Sequence, residues 1–407
     1  MSVPLMAQDA ALTFERAVEL ATSRNERAAI AETTVEAAEA RLRQARSFFF
    51  PNVDVNGSFR RDLAQNDTGS TLQTNATLTQ TLFNARAFPL YRQARFQRDA
   101  TRLTARETTR LIGFDAAVAY LTALSFEQVL IAAQHRRDFA QTNLNDVRAR
   151  FEAGLVSSND VTRAELELAT AVRGVAQASG DVQTSRINLA TLLNAAVEGP
   201  LALPAALLDA ADDAPAVDET TITTAQQQRI DVGAQRAEVE ALRAFAQEPR
   251  ARFLPSVLFQ AQTRNINEGP VSDRNNDGFF GVSFAWPVFD AGIRHAQTAE
   301  RNALVRGAEL ELTARLRDIE RELRGAVVQL STEQASLREA LAATAAARRN
   351  AEETNALYRE GLASALELAD ANQRMFEAEV AEVTARYRMA LAYLALREAS
   401  GDTVMER

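Results

Sequence analysis

The sequence of 407 residues predicts a mainly α-helical protein with a β part, made of two tandem repeats. Each repeat combines a long α-helical hairpin with a two-stranded β-hairpin. Three landmarks recur in order: FFPNV at 49–53 and FLPSV at 253–257, LFNA at 82–85 and VFDA at 288–291, and FEAGLVS at 151–157 and YREGLAS at 358–364. An offset of about 205 residues indicates a duplicated domain, because solenoid units have roughly 20–50 residues. Long proline-free stretches and segments of alternating polarity predict the helices and strands.

The two repeats have predicted boundaries at 1–199 and 223–407, joined by a Pro/Asp/Ala-rich bridge at 200–222. The first repeat contains helices within 12–48, a β-hairpin at 51–83 and a helical hairpin at 86–195 that turns at 154. The second contains a helix at 223–250, a β-hairpin at 255–289 and a helical hairpin at 290–399 that turns at 361. The segment from 24 to 48 has a length that suits end-to-end stacking on the return helix at 158–194.

The long helices are predicted by composition and by spacing. The stretches 90–199 and 288–407 lack proline and are rich in Ala, Arg, Glu and Leu, which are strong helix formers. A coiled-coil seam is predicted by heptad spacing: Leu316, Ile319, Leu323, Ala326, Leu330, Leu337 and Leu341. Gly154 and Gly361, each followed by Leu and then Ser within three residues, predict a helix end and a new N-cap.

Four segments of about ten residues alternate between polar and apolar side chains and predict β-strands. Val53, Val55 and Phe59 alternate with polar residues, and the same pattern runs from Phe280 to Val288. The segments 71–82 and 256–264 alternate less cleanly, and loops are predicted at 61–70 and 265–279. Ten alternating residues also suit a membrane-spanning strand, with Trp286 and Phe289 placed as an interfacial belt. Four strands cannot enclose a channel, so several chains would have to pool them.

Composition excludes several classes of function. The chain has no Cys, so we expect no disulfide, no thiolate site and no lipid attachment through an N-terminal Cys. Its net charge of −9 disfavours nucleic acid as a partner. No run of about 18 apolar residues predicts a membrane-spanning helix. The start, MSVPLMAQD, is not a complete signal peptide; the chain is therefore either cytoplasmic or one whose export signal is removed or truncated.

The chain resembles the TolC family of outer-membrane channel proteins over nearly its whole length. The resemblance rests on ARSFFFP at 45–51 and RFLPS at 252–256 as helix-to-strand junctions, PVFDAG at 287–292 as the return, and GLVSSNDV at 154–161 as the periplasmic turn. It implies a homotrimer whose strands form one twelve-stranded outer-membrane β-barrel, continued by a periplasmic α-helical barrel. It further implies an exit duct for a tripartite efflux pump or a type I secretion system, with a periplasmic adaptor (membrane fusion protein), an inner-membrane pump of the RND or ABC type, and outer-membrane lipid as partners.

The resemblance also implies two functional regions. The first is a tip where the adaptor docks: Gly154, Leu155, Val156, Ser157, Gly361, Leu362 and Ser364. The alternative is that these residues are only helix caps, and the two interpretations are compatible because a cap can also be an interface. The second is a periplasmic gate in which acidic residues ring the tunnel mouth and neighbouring helices are linked: Glu367, Asp370, Asp160 and Tyr358. The alternative for Glu367 and Asp370 is a solvated acidic helix face. Ala363 stands where the family has an Arg, so the link is weaker here or uses Arg359.

Other motifs point to little chemistry. Residues 273–278, DRNNDG, copy the start of a calcium loop, but the twelfth position is Phe284, so a surface turn is the preferred interpretation and weak calcium binding the alternative. His135 and His295 have no ligand spacing nearby. We expect no metal site, no cofactor and no enzyme activity, since no nucleophile–base pair stands out. The rival to the channel is a soluble coiled-coil scaffold, which has no need for the four alternating strands.

Overall fold

A computed structural model describes residues 11–61, 70–214, 219–268 and 273–404. Two compact units emerge from it. The first contains Met1–Ile30, Arg106–Arg229 and Arg317–Arg407, and the second contains Ala31–Ala105 and Ile230–Leu316. Helices dominate the described residues, which confirms the mainly helical fold class. They are α1 (Phe14–Arg24), α2 (Glu26–Ser47), α3 (Ala87–Glu152), α4 (Ser158–Leu193), α5 (Ala205–Asp212), α6 (Glu219–Gln228), α7 (Ile230–Ala246), α8 (Glu248–Ala251), α9 (Ile293–Arg359) and α10 (Ala365–Ser400).

The helices predicted within 12–48 are divided at Asn25, next to the predicted start of the segment 24–48. Asn25 has extended backbone, and its side-chain oxygen accepts a hydrogen bond from the Arg27 N–H at 2.9 Å, so it starts α2. Its side-chain amide donates to the carbonyl of Leu192 at 3.0 Å, and Asn194 donates to Glu26 at 3.1 Å. The start of α2 therefore meets the end of α4, as the end-to-end stacking prediction requires.

The second repeat has an equivalent break at Arg229. The predicted single helix at 223–250 is divided into α6, α7 and α8, and α6 begins within the predicted bridge. The buried guanidinium of Arg229 donates to the carbonyl of Ala399 at 2.7 Å, near the end of α10. A cation is favourable there because the last carbonyls of a helix lack partners within the helix. The side chain at the break thus serves the neighbouring helix end.

The core of the first unit is built around the apolar middle of α3. Ile112, Phe114, Tyr120, Leu121 and Leu124 are almost fully buried and pack with side chains of α1, α4 and α10. The buried Tyr120 hydroxyl lies 2.7 Å from the carbonyl oxygens of both Leu12 and Ala202. Among the described helices, α3 alone is long and apolar enough to qualify as a membrane span by length and composition. Core packing accounts for part of its apolar composition, since the buried residues of the core lie within this stretch.

The predicted heptad seam of α9 is confirmed over most of its length. Ile319 and Leu323 are fully buried, and Leu330 and Leu337 are nearly so. Leu341, the last position of the predicted seam, is 41% exposed. The seam therefore extends from Ile319 to Leu337.

The second unit contains one antiparallel sheet of β1 (Asn52–Arg61), β2 (Ser70–Asn84), β3 (Ser256–Glu268) and β4 (Asp273–Ala285). The strand order is β1-β2-β3-β4, so one hairpin from each repeat meets at the β2–β3 pair. The pairing shifts once, between Thr81 and Phe83. Because the strands are antiparallel, one end of the sheet, across the strand direction, contains the start of β1, the end of β2, the start of β3 and the end of β4. We call it the helical end of the sheet, because each strand is connected to a helix there.

Three expectations for the second hairpin are wrong. Its predicted loop at 265–279 is mostly strand, and the predicted calcium loop or surface turn at 273–278 is the beginning of β4. Polar cross-strand pairs hold these residues in register, since Arg264 forms an ion pair with Asp277 and Asn265 donates to Asn276. The alternation predicted through residue 288 ends at Ala285, before Pro287, which cannot donate a backbone hydrogen bond.

Candidate functional site

One face of the sheet is apolar over its central region. In an antiparallel sheet, residues directly opposite one another project to the same side. The register therefore collects the apolar members of all four strands on one face: Val53, Val55, Phe59, Leu72, Ala76, Leu78, Val257, Phe259, Ala261, Phe280, Val282 and Phe284. Val55, Phe59 and Phe280 are 68%, 68% and 82% exposed. An exposed apolar face of this extent marks a surface that contacts lipid or another protein.

The opposite face is mostly polar. It carries hydroxyl, amide and charged side chains from all four strands: Asn52, Asp54, Asn56, Ser58, Arg60, Thr71, Gln73, Asn75, Thr77, Ser256, Gln260, Gln262, Arg264 and Asp277. Leu258, Ile266 and Phe279 interrupt it. A sheet that is apolar on one side and polar on the other suits a boundary between lipid and water.

The sheet has two free edges within the described chain, along β1 and β4. Each edge strand has a row of backbone N–H and C=O groups without a ladder partner. Such groups cannot remain unpaired in the hydrocarbon core of a membrane. The edges therefore require pairing with further strands if the sheet lies in lipid.

Trp286 and Phe289 lie just beyond β4, at the helical end of the sheet, where all four strands meet helices. Trp286 is 55% exposed and its indole N–H donates to the carbonyl of Phe253 at 2.9 Å. Phe289 is 86% exposed. An exposed aromatic side chain with an anchored polar atom is typical of a membrane interface.

The two helical turns in the first unit have the same backbone geometry. Gly154 and Gly361 adopt left-handed backbone with φ of 73° and 75°. The N–H groups of Leu155 and Leu362 return to carbonyls five residues earlier, both at 2.8 Å, as in a Schellman motif. The leucine side chains are 74% and 75% exposed. Each turn therefore displays one apolar side chain to solvent.

The first residues of α4 and α10 are fixed by equivalent carboxylates. Asp160 accepts hydrogen bonds from the Ser157 hydroxyl at 2.8 Å and N–H at 3.0 Å. Glu367 accepts from the Ser364 N–H at 2.7 Å and hydroxyl at 2.9 Å. These bonds lower the pKa of both carboxyls, for Asp160 mainly through the hydroxyl and for Glu367 mainly through the backbone N–H. Both side chains are therefore ionised near neutral pH.

The proposed gate residues occupy different environments. Asp370 is exposed and pairs with Arg374 on the next turn of α10, with the nearest atoms at 2.9 Å. Tyr358 is buried, and its hydroxyl has no hydrogen-bond partner among the described residues. Burial raises the pKa of Tyr358; the nearby Arg150 cation opposes this rise, and the Asp160 carboxylate adds to it. No hydrogen bond joins Asp160 to Tyr358 in this structure.

Arg150, near the end of α3, contacts Tyr358 and was not among the gate residues considered from sequence. Its guanidinium lies 4.7 Å from the centre of the Tyr358 ring. It also donates to the carbonyls of Tyr358 at 3.1 Å and Arg359 at 3.3 Å. The cation therefore sits at the C-terminal end of α9, where the helix dipole favours it. This contact joins the two turns through one side chain.

A family model described as outer membrane efflux protein matches residues 17–195 and 221–402, one match in each repeat. These two ranges include all four strands and both helical turns. The chain belongs to the outer membrane efflux protein family. It is therefore an outer-membrane protein with a periplasmic helical part, and it acts as an exit duct in efflux.

The sequence relatives of this efflux protein are distant but cover most of it. It is 22% identical to the outer membrane protein TolC of Escherichia coli (strain K12) over 388 residues, which are 90% of this chain and 77% of TolC. It is 27% identical to the cobalt-zinc-cadmium resistance protein CzcC of Cupriavidus metallidurans over 348 residues, 82% of this chain and 77% of CzcC.

Solved structures share the fold at still lower identity. A crystal structure of CusC matches with a TM-score of 0.81 and 18% identity, covering 98% of this chain and 97% of that one. The open state of the Neisseria gonorrhoeae MtrE outer membrane channel matches with a TM-score of 0.81 and 19% identity, covering 96% and 89%. The fold of this efflux protein is therefore the one these channels adopt.

Sequence reasoning did not identify Arg150 as a member of this site. Its partner is 208 residues away in the chain, and the sequence there offers no spacing rule. The only local signal is its place in the last turn of α3, where arginines also serve as ordinary C-terminal helix residues. Among the described residues, no group of His, Cys, Asp or Glu is arranged to hold a metal ion.

Proposed function

We propose that three copies of this chain assemble into one channel. The two free sheet edges support this proposal, because β4 of one copy and β1 of the next can complete each other's ladders. Three four-stranded sheets then give a barrel of twelve strands with no free edge. The polar sheet face lines the aqueous lumen, and the apolar face contacts lipid. Trp286 and Phe289 lie at the membrane interface.

The division of labour within each chain follows the two repeats. We propose that residues 1–199 and 223–407 are equivalent halves joined by the bridge at 200–222, so that three chains present six helical turns. Six quasi-equivalent turns suit a ring that meets a partner assembly end-on. Energy comes from an inner-membrane pump of the RND or ABC type, and no catalytic step is assigned to this chain.

The single observation that carries the docking proposal is the pair of exposed leucines, Leu155 and Leu362. Both follow a left-handed glycine and are about three-quarters exposed, although the adjacent Val156 and Ala363 pack inward. An apolar side chain on a rigid, capped turn is a suitable anchor for an interface. The proposed partner is a periplasmic adaptor. The docking tip is Gly154, Leu155, Val156, Ser157, Gly361, Leu362 and Ser364.

The gate remains a proposal with two components. Glu367 and Asp370 lie three residues apart on the exposed first turns of α10, so three copies present six carboxylates around the mouth. Tyr358 is part of the contact with Arg150 that links the two turns, and Asp160 lies beside this contact. A narrow ring of carboxylates repels anions and attracts cations. The duct then serves a tripartite efflux pump or a type I secretion system.

The docking proposal is tested by removing the apolar side chains from the turns. Leu155→Ser/Leu362→Ser should extract as a trimer by native mass spectrometry but lose co-purification with the adaptor. Dye export from host cells that lack the natural copy should fall at least about tenfold, because burial of one leucine contributes roughly 1.5–3 kcal/mol. Export at the original rate would contradict docking at these turns, and a monomeric wild-type protein would contradict the trimer.

The matched control changes the same surface chemistry elsewhere. Val172 and Ile187 lie on α4 away from the turn and are 49% and 64% exposed. Val172→Ser/Ile187→Ser removes a similar exposed apolar area. It should keep both adaptor binding and export near the original level, because these residues lie outside the proposed contact.

A further inference from the structure

Positive charge is concentrated where the helices meet the sheet. Four segments flank the helical end of the sheet: 38–50, 85–102, 245–254 and 286–301. Together they carry twelve arginines and five carboxylates. Their formal net charge is +7, in a chain whose net charge is −9. The rest of the chain is therefore strongly acidic, and these four segments at the helical end of the sheet carry a positive net charge.

Part of this charge is already neutralised within the protein. Arg86, Arg252 and Arg301 surround the buried Glu248, and Arg294 pairs with Asp290. Two more arginines are also in ion pairs, Arg98 with Asp99 and Arg102 with Glu39. Six other arginines are exposed and form no ion pair with any described residue. We name these six the arginine collar: Arg41, Arg43, Arg46, Arg92, Arg95 and Arg250.

The collar adjoins exposed aromatic side chains. On α3, Phe88, Arg92 and Arg95 are spaced i, i+4 and i+7, so they form one exposed stripe. Phe88 is 53% exposed and packs on Phe49, with ring centres 5.5 Å apart. On the preceding segment, the Arg46 guanidinium lies 5.8 Å from the centre of the exposed Phe50 ring. Exposed aromatic rings therefore lie next to the strand ends, and the arginines lie farther along the helices.

The spacing along α3 matches the layers of a membrane surface. Arg92 and Arg95 lie about 6 Å and 10 Å beyond Phe88 at ~1.5 Å per residue. The polar headgroup layer is about 5–7 Å thick on each side of a bilayer. With Phe88 at the boundary of the hydrocarbon core, the backbone of Arg92 falls within the headgroup layer and that of Arg95 lies roughly 3–5 Å beyond it. The long Arg95 side chain tilts toward the helix N-terminus and can reach back to the headgroups. Guanidinium groups bind phosphate oxygens in two-pronged hydrogen bonds.

We infer that the arginine collar binds the headgroups of anionic phospholipids in the leaflet that faces the periplasmic helices. The helical end of the sheet places the collar at the membrane surface, and the exposed aromatic rings set its depth at the interface. The guanidinium groups without ion pairs are complementary in charge to the lipid phosphates. In a trimer the collar presents eighteen guanidinium groups around the barrel. This inference rests on the membrane placement of the sheet, which brings the collar to the lipid surface.

The single tryptophan of the chain provides a direct readout. Trp286 is anchored to the carbonyl of Phe253, three residues from Arg250 of the collar. The full-length trimer is reconstituted in vesicles of phosphatidylcholine and phosphatidylglycerol at one fixed ratio. Bromine is placed on the acyl chains of either lipid at the same mole fraction of brominated lipid. The quenching of Trp286 fluorescence then reports which lipid lies beside the helical end of the sheet.

The wild-type protein should be quenched at least about twofold more by brominated phosphatidylglycerol than by brominated phosphatidylcholine, and high salt should reduce the difference. Arg92→Gln/Arg95→Gln/Arg250→Gln should bring the ratio close to one. The control Arg173→Gln/Arg338→Gln/Arg349→Gln removes three exposed arginines without ion pairs among the described residues of the first unit. It should keep the wild-type ratio.

The outcomes separate the collar from the membrane placement. Equal quenching of the wild-type protein by the two lipids overturns the collar and leaves the sheet in the membrane. A preference for phosphatidylglycerol that survives in the collar variant also overturns it. If neither brominated lipid quenches Trp286, both the collar and the membrane placement of the helical end of the sheet are overturned.

Discussion

The buried carboxylate of Glu248 holds together the region where α8 meets the ends of α3 and α9. Its side chain is 1% exposed. One oxygen accepts from Arg86 at 2.6 Å and Arg252 at 2.7 Å, and the other accepts from Arg301 at 2.7 Å. Arg301 also donates to the carbonyl of Phe245 and stacks on its ring. Three cations therefore share one anion in the second unit.

Glu248→Gln keeps the shape of the side chain and removes its charge. Breaking a buried ion pair costs roughly 3–5 kcal/mol, because the remaining charge stays buried without compensation. Here Arg86 and Arg252 are 47% and 27% exposed and can turn to water, whereas Arg301 is only 13% exposed. With one uncompensated cation that keeps its carbonyl contact, we expect a loss of about 2–3 kcal/mol. Arg86→Gln, the matched control, should cost at most about 1 kcal/mol.

Thermal unfolding in detergent, followed by circular dichroism, measures this difference. A loss of 2–3 kcal/mol corresponds to a midpoint lower by roughly 4–12 °C for a unit of this size. A Glu248→Gln midpoint within about 1 °C of the wild-type value would refute the assignment. So would an Arg86→Gln variant that is destabilised equally, since the buried carboxylate would then not be the shared centre.

The pH dependence supplies an independent check on the same residue. Burial by itself would raise the pKa of Glu248, but the hydrogen bonds from three arginines outweigh it and lower the pKa. A lowered folded-state pKa contributes stability above the unfolded-state value, and this stability is lost as the pH falls through the folded-state value. The wild-type protein should therefore lose more stability than Glu248→Gln between neutral pH and about pH 3.

Two further substitutions test the faces of the sheet and the mouth of the duct. Val55→Arg places a charge on the lipid side and should cost up to about 2–4 kcal/mol near the bilayer midplane, whereas Asn56→Arg on the lumen side should be tolerated; equal tolerance in refolding titrations would reverse the faces. Glu367→Ala/Asp370→Ala should weaken cation selectivity and block by multivalent cations in planar bilayers while trimers persist, because six carboxylates are lost; unchanged selectivity and block would leave these residues as a helix cap and a solvated pair.

Local sequence signals were sufficient for the elements whose causes are local. The turns at Gly154 and Gly361 were predicted because left-handed backbone, a following Leu and an N-cap Ser all lie within four residues. The strand faces were predicted because alternation has a period of two. The landmarks of the duplication predicted a matching element in each half.

Features that depend on distant contacts were missed. The second hairpin continues through a Gly/Asn/Asp-rich segment because Arg264 and Asn265 meet partners across the sheet. The break at Arg229, within the helix predicted at 223–250, reflects a contact with a return helix more than 150 residues away. In each case the deciding partner lies in another part of the chain, so composition and spacing within the segment do not contain the information.

The two helical turns share their caps but differ in the contact that joins them. At the equivalent positions, Arg150 of the first turn corresponds to Leu357 of the second, and Tyr358 corresponds to Phe151. Arg150 therefore places its charge on the end carbonyls of α9, and Leu357 has no charge with which to do the same for α3. The cap residues are alike because each acts on its own helix. The linking contact acts between the two turns, and in this chain the cation of the first turn makes it.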